Sequence, residues 1–299
     1  MKSDRAIPLG LLGAFVLSLG VPVLAQQQSA WTTVDHLLGR PGQSLAGDVH
    51  KYGWPRTDLH VTLGGVPVEP ALALGSWAAF KETGRSGQFV VMGDLVLRGA
   101  EVNPVIRALQ AGGIDVTAVH NHLIGESPRL LYLHYSGTGE APALARTLRG
   151  ALEKTATPLG PPAPAASASP AERAVLTKLQ TALGRTGSMA GRVLQVSVPR
   201  ANAVEHDGME IPPAMGTGTG MNFEVVGQRV ATTGDFVLAA DEVNLVIKAL
   251  EAHGIEVEAL HSHMLQETPR TFFMHFWGVG TPDAIGAGLK AALAVVKTR

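Results

Sequence analysis

The chain contains one 43-residue segment twice, and this repeat limits the folds that the chain can adopt. Residues 93–135 and 234–276 align without a gap at a separation of 141 positions, and 22 of the 43 aligned positions are identical. A repeat that only preserves a fold needs to keep its apolar positions. Both copies also keep three histidines, at His120, His122, His134 and at His261, His263, His275. These repeated imidazoles indicate a shared site, although they do not name a reaction.

The repeat extends to most of each half of the chain, and 299 residues can form two units with their own cores. We expect a first unit at 31–156 and a second at 171–299. The Pro/Ala/Ser-rich stretch 157–170 between them is typical of a semi-rigid linker. Within each unit the apolar patterns predict the order β-α-β-β-α. This order predicts an α+β fold with a mostly antiparallel sheet and helices on one face.

The N-terminus predicts export. Lys2 and Arg5 precede an apolar stretch at 7–19, and a small-residue cleavage pattern ends at Ala25. Residues 1–25 therefore read as a signal peptide, and we expect a periplasmic or secreted protein without a stable membrane anchor after cleavage. The net charge of −1 offers no electrostatic basis for binding nucleic acid. The absence of cysteine excludes disulfides, thiolate ligands and a cysteine nucleophile.

The spacing of the histidines predicts that they meet. Side chains alternate along a strand, so His120 and His122 share one face of a strand predicted at 114–123. The same face is predicted to carry Ile114, Val116 and Ala118. If the hairpin turns about Ser127, His134 lies directly across from His120 on that face. The second copy repeats the pattern about Thr268, so we expect one cluster of three histidines in each unit. A register slip of one residue would send the third ring to the other face.

Three neutral imidazoles suit a divalent transition metal such as Zn or Cu, with room for a small ligand. Glu126 and Glu267 follow the second histidine of each copy by four residues. They are candidates for a fourth ligand or for the catalytic base of a metal-dependent hydrolase. The sequence has no Gly-x-Ser-x-Gly, Walker or His-Glu-x-x-His motif that would favour a particular hydrolase.

The opposite interpretation is structural. A face that begins with Ile, Val and Ala points at a core, where histidines serve as hydrogen-bonded groups. The residues thus leave three functions open: a metal carrier or sensor, a metal-dependent hydrolase, and a non-enzymatic binding module of the cell envelope.

Four further polar pairs recur in both copies, namely Asp94/Asp235, Glu101/Glu242, Asn103/Asn244 and Arg129/Arg270. The asparagines are predicted to cap the central helix of each unit. The glutamates are predicted either to stabilise the N-terminus of that helix or to reach the histidines. The aspartates are candidate hydrogen-bond partners of the imidazoles. The arginines are expected to pair with Glu126 and Glu267 on the surface, or else to bind an anionic ligand.

At these residues the chain resembles the LppY/LpqO family of bacterial exported proteins. The motifs are Gly-Asp-[Leu/Phe]-Val-Leu, Glu-Val-Asn, Gly-Ile-[Asp/Glu]-Val, His-x-His, and Pro-Arg followed after four residues by His. The likeness covers nearly the whole chain after the signal peptide, in both units. It implies an exported protein with two copies of a domain of unknown function, and it implies no activity or catalytic residues. Membrane anchoring through a lipidated cysteine is not implied, because the chain has no cysteine.

Overall fold

The computed structural model describes residues 31–161 and 164–299, so the predicted signal peptide lies outside the described residues. The first unit has a six-stranded antiparallel sheet in the order β1-β2-β5-β6-β8-β7. Its strands are β1 Gln43–Leu45, β2 Val49–Pro55, β3 Val61–Leu63, β4 Val66–Val68, β5 Gly75–Glu82, β6 Phe89–Arg98, β7 Asp115–His120 and β8 Leu130–Gly139. Its helices are α1 at 31–38, α2 Pro70–Ala73, α3 Gly99–Ala111 and α4 Ala141–Leu152.

The second unit repeats this architecture with a six-stranded antiparallel sheet in the order β15-β17-β14-β13-β10-β9. Its strands are β9 Ser188–Ala190, β10 Val193–Pro199, β11 Glu205–His206, β12 Met209–Glu210, β13 Gly218–Val226, β14 Arg229–Leu238, β15 Glu256–His261, β16 Glu267–Thr268 and β17 Phe272–Gly280. Its helices are α5 Pro170–Leu183, α6 Val243–Glu251 and α7 Pro282–Leu293, with a 3₁₀ turn at Pro213–Met215. The predicted α+β fold of two repeated units is therefore confirmed.

The central helix of each unit begins before the asparagine that was predicted to cap it. Helix α3 starts at Gly99, where the Glu101 carboxylate accepts the Arg98 backbone N–H at 2.8 Å. Asn103 lies inside α3, and Asn244 lies inside α6. The capping prediction was wrong because the glutamate two residues earlier already satisfies the amide that precedes the helix.

The same glutamates form buried ion pairs rather than reaching the histidines. Arg56 Nη1 lies 3.0 Å from a Glu101 carboxylate oxygen, and Arg200 Nη1 lies 2.6 Å from Glu242. Each arginine also donates to a backbone carbonyl of the strand that leads into the helix. The first pair connects the end of β2 to the start of α3, and the second connects the end of β10 to the start of α6.

Each sheet buries both faces. Its outer face packs against the helices of its own unit, since each of the two largest apolar clusters contains residues of one unit only. Two further clusters combine residues of both units: one joins Tyr132 to Trp277, and the other joins Met92 to Phe273. The inner faces of the two sheets therefore pack against each other across the unit boundary. In the part of the chain that the structure describes, no helix is long and apolar enough to cross a membrane.

Candidate metal centre

A bulge in β7 decides where its histidine points. Val116 pairs with Tyr135 and Ala118 pairs with His134, so Thr117 is an extra residue on the β7 side. An extra residue reverses the alternation of side chains beyond it. Val116 consequently packs into the core beneath the helices, whereas Ala118 and His120 face the other unit. The prediction that Ile114 and Val116 share the histidine face was wrong, and with it the inference that the histidines point at the core of their own unit.

Strand β15 of the second unit has the same irregularity, located at Glu258 between Val257 and Ala259. The bulge residues also bridge the units. The Thr117 hydroxyl donates to the His263 carbonyl at 2.6 Å, and the Glu258 carboxylate accepts the Ile124 backbone N–H. Sequence reasoning missed both residues, because Thr117 and Glu258 occupy ordinary polar positions of an alternating strand.

The third histidine of each copy joins the other two, but in a different register from the one predicted. Tyr132, not His134, lies opposite His120, and His134 lies opposite Ala118 two positions further along β8. A shift of two residues preserves the face. The ring centroids of His120 and His134 are 5.0 Å apart, and those of His261 and His275 are 4.9 Å apart.

The two sets of histidines form one group instead of the predicted one per unit. His120 stacks on His261 with ring centroids 3.6 Å apart. The other contacts across the boundary are His122 with His275 and His134 with His263, each at 3.8 Å. These distances repeat when the units are exchanged, so the six rings are related by a pseudo-twofold axis. We call these six residues the histidine cluster.

Aspartates and aromatic rings complete the surroundings of the cluster. Asp94 Oδ2 lies 3.4 Å from His122 Nε2, and Asp235 Oδ2 lies 3.0 Å from His263 Nε2. The outer rings are held by stacking: His122 on Tyr132 at 3.3 Å and His263 on Phe273 at 3.4 Å. Tyr132 and Phe273 occupy the same position of the two repeats.

The cluster offers nitrogen atoms at distances that suit a metal ion. Three groups of three histidines each place their ligand atoms within 4.8 Å of one another. The groups are His120, His122, His134; His134, His261, His263; and His120, His261, His275. Two of the three combine residues of both units. An ion held by either of these two groups would therefore connect the two halves of the chain.

Many polar atoms of the cluster are buried without a hydrogen-bond partner. They are the Nε2 atoms of all six histidines, His261 Nδ1, and Oδ1 of Asp94 and of Asp235. A buried polar atom without a partner costs about 1–3 kcal/mol. Such atoms are therefore placed to meet a water, an ion or a ligand, and several imidazole nitrogens this close together suit a metal ion.

In two rings the Nδ1 atom forms a hydrogen bond, which leaves Nε2 available to bind a metal. His120 Nδ1 lies 2.9 Å from the Asn121 carbonyl oxygen, and His275 Nδ1 lies 2.9 Å from the Gly234 carbonyl oxygen. Because a carbonyl only accepts, each Nδ1 carries the hydrogen and each Nε2 has a free lone pair. Metal-binding histidines are commonly oriented in this way by a backbone carbonyl.

Burial keeps five of the rings neutral. Desolvation, together with neighbouring imidazoles, lowers the pKa of His122, His134, His261 and His275, and it lowers the pKa of His263 to about 3. A neutral ring can ligate a metal at neutral pH without first losing a proton. Burial also raises the pKa of Asp235 to about 6.

Glu126 and Glu267, the predicted bases, accept hydrogen bonds from the backbone of their own hairpins. Glu126 accepts the Leu130 backbone N–H at 2.9 Å, and Glu267 accepts the Thr271 backbone N–H at 3.0 Å. Burial raises the pKa of Glu126 to about 7. Neither glutamate belongs to a metal-capable group among the described residues. The carboxylates that lie beside the histidines are Asp94 and Asp235 instead.

The repeated arginines lie with these hairpins. Arg270 Nη1 lies 3.3 Å from a Glu267 carboxylate oxygen, so the two residues pair, but the Glu267 side chain is buried and not on the surface. The charge of Arg129 acts on Glu126, where it opposes the rise in pKa that burial causes. Neither arginine lines the cavity that meets the cluster.

A cavity of about 870 Å³ meets the cluster and gives it access to small molecules. Residues of both units line it, and at the cluster it reaches His122, His134, His263, His275, Asp94 and Asp235. Its walls come from β2, β5, β10 and β13, together with α2 and the 3₁₀ turn. The site thus combines metal-capable nitrogens, carboxylates and a space for a ligand.

Comparison with known proteins places the chain in a family. Residues 32–154 and 177–295 each match Domain of Unknown Function (DUF1259), so the chain belongs to this family and carries two copies of the domain. No curated protein sequence matches it.

Two solved structures were also matched. A trimeric bacterial microcompartment shell protein, PduB, is 15% identical over 85% of this chain and 89% of its own, with a TM-score of 0.21. EtuB from Clostridium kluyveri is 10% identical over 85% and 90%, with a TM-score of 0.20. At these scores neither likeness carries an argument about fold or function.

Proposed function

We propose that this two-copy member of the DUF1259 family binds a divalent transition metal, Zn or Cu, at the histidine cluster. The observation that carries the proposal is the convergence of six imidazoles from both units. The Nε2 atoms of His120, His134, His261 and His275 are buried without a hydrogen-bond partner, and those of His122 and His263 lie beside the carboxylates of Asp94 and Asp235. Imidazole nitrogen is a preferred ligand of both metals. Within the family we propose the finer assignment to the LppY/LpqO group, on the motifs of the repeat.

The proposed centre is shared, not duplicated. The three candidate ligand groups overlap in His120, His134 and His261. Two ions in two of these groups would have to share one imidazole or recruit an aspartate. We therefore expect one ion, or two adjacent ions when Asp94 and Asp235 also serve as ligands.

A carrier or sensor of exported location is the first form of this function. It agrees with the predicted signal peptide at residues 1–25, and we propose a periplasmic or secreted location on that basis. A metal-dependent hydrolase is the second candidate, and the cavity that reaches the cluster favours it. In that case Asp94 or Asp235 is better placed than Glu126 or Glu267 to activate a water molecule.

Metal analysis of protein purified without a histidine tag tests the proposal. We expect about one or two equivalents of Zn or Cu per chain, the numbers of ions that coordination by three or four ligands allows. The double variant His120→Ala/His261→Ala should lose the metal because it removes the central stacked pair. The variant His60→Ala is the matched control, since His60 is exposed and outside the cluster.

The proposal would be contradicted if the metal-free protein folds normally and does not bind added Zn or Cu. It would favour a binding module of the cell envelope with structural histidines. If metal is found, turnover on a panel of esters, phosphoesters and peptides separates the two forms. A hydrolase loses turnover on chelation, whereas a carrier shows none.

A further inference from the structure

The two walls of the cavity differ, although the cluster at its end is symmetric. In the first sheet Trp77 pairs with Asp94, which pairs with His134. In the second sheet Gly220 occupies the position of Trp77, beside Asp235 and His275. One repeat thus places an indole next to the cluster where the other places no side chain.

A second difference lies one strand further from the cluster. Lys51 of β2 corresponds to Gln195 of β10, and both line the cavity. Lys51 Nζ donates to the Ala214 carbonyl at 2.9 Å, and Gln195 Nε2 donates to the Ala71 carbonyl at 3.0 Å. The backbone contact is therefore the same in both repeats, but only one repeat supplies a positive charge.

The environment of Lys51 suits an anion. Among the described residues that line the cavity it is the one lysine, and no arginine lines it. No carboxylate of these residues forms an ion pair with Lys51. The Trp77 ring lies 4.1 Å from Nζ and covers one side of the ammonium group. Burial lowers the pKa of Lys51 to about 8, which a bound anion would counteract.

The Gly220 side has free space. A Cβ atom built on Gly220 would have no neighbour within 4 Å. Asp235, which pairs with Gly220, is also more exposed than its counterpart Asp94. Its side chain is 20% exposed, and that of Asp94 is 5% exposed. A ligand therefore has room above Gly220, close to the metal-capable histidines.

We propose that the cavity binds one small organic carboxylate, with its carboxylate on Lys51 and the rest of the molecule above Gly220. The ligand would lie next to the histidine cluster, where a metal ion offsets the charges of Asp94 and Asp235. This inference rests on the proposed metal centre for the position of the ligand, whereas the Lys51 contact is independent of the metal. Because the second repeat has Gln195 at the equivalent position, the pseudo-symmetric centre binds its ligand in one orientation only.

Calorimetric titration with succinate tests this inference, with the uncharged succinamide as the comparison ligand. The variant Lys51→Gln copies the second repeat and keeps a donor for the Ala214 carbonyl. We expect it to weaken succinate binding at least tenfold and to leave the weaker binding of succinamide unchanged. Lys81→Gln is the matched control, because Lys81 also donates to a backbone carbonyl, that of Gly47, but outside the cavity.

A second variant tests the free space. Gly220→Trp places the indole of the first repeat into the second, and we expect it to abolish succinate binding while the metal content stays at the wild-type level. All titrations are done on metal-loaded and on metal-free protein. Failure to bind metal would remove the proposed centre but leave the Lys51 comparison measurable. Equal succinate affinity in wild type and Lys51→Gln, with or without metal, would overturn the inference.

Discussion

Removal of the metal should destabilise the whole protein, because the proposed ligands come from both units. The stacked His120 and His261 belong to different repeats, and two of the three candidate ligand groups cross the boundary. Unfolding would separate these ligands, so an ion binds the native state far better than the unfolded chain. A ligand present at 1,000 times its dissociation constant then adds about 4 kcal/mol to the free energy of unfolding.

The structure indicates that the effect reaches this size. The unpartnered atoms of the cluster would each cost about 1–3 kcal/mol if nothing bound them. Water that enters the metal-free cluster recovers part of this cost, so the gain from metal is smaller than the sum. With an unfolding entropy of about 2.1 cal/mol/K per residue, 1 kcal/mol moves the melting temperature of a chain of this length by about 1.6 °C. We therefore expect a fall of about 6 °C when the metal is removed.

Thermal unfolding measured by circular dichroism, with saturating zinc and with EDTA, checks this prediction. The variant His120→Ala/His261→Ala should melt at one temperature in both conditions, whereas His60→Ala should respond to zinc as the wild type does. Identical melting temperatures of the wild type with zinc and with EDTA would refute the reasoning that the cluster connects the two units through a metal.

Three further predictions concern the buried polar groups. Arg200→Ala leaves the Glu242 carboxylate buried without its partner and should cost about 3–5 kcal/mol of unfolding free energy in urea titrations. In metal-free protein, the lowered pKa values of five cluster histidines mean that the unfolded state binds more protons below about pH 6.5. The stability that these histidines contribute should therefore fall with decreasing pH, by up to about 1.4 kcal/mol per pH unit and histidine, down to the pKa of about 3 for His263. Burial raises the pKa of Glu126 and Glu224 to about 7 and that of Asp235 to about 6, which has the opposite effect on stability, so the comparison is between the wild type and His263→Ala. Equal pH profiles of these two proteins would contradict the prediction. Glu126→Ala and Glu267→Ala should each cost about 1–3 kcal/mol, because the hairpin amide loses its acceptor, and should leave the metal content unchanged. Metal loss by elemental analysis would restore these glutamates as ligands.

The sequence predicted those features of the fold that depend on residues close together in the chain. Alternation and turn residues predicted the hairpin that carries His120 and His134, and the apolar patterns predicted the α+β order. The register of that hairpin was two residues away from the prediction. The bulge at Thr117, which brings Ala118 and His120 to the face opposite Val116, is not revealed by strand alternation alone. The predicted asparagine caps failed for a related reason, since Glu101 satisfies the first free amide while it pairs with a distant arginine.

The sequence predicted which histidines belong to the candidate site, but it did not predict that the two sets form one cluster. The six histidines were selected because both repeats keep them, and the structure brings all six together. The aspartates beside them were identified only as secondary candidates, whereas Glu126 and Glu267 were given a role that their hairpin contacts do not support. Lys51 and Trp77 could not be found from the repeat, since their importance lies in how the two copies differ.

The sequence by itself determined that the chain has two homologous α+β units and that each carries three histidines at fixed positions. These properties follow from the repeat and from local periodicity, which involve residues close together in the chain. Only the tertiary structure decided that the two sets of imidazoles are one cluster. The physical reason is that the bulges turn the histidines from the core of each unit towards the opposite sheet, and the apolar inner faces on either side of the cluster then pack the two sheets together.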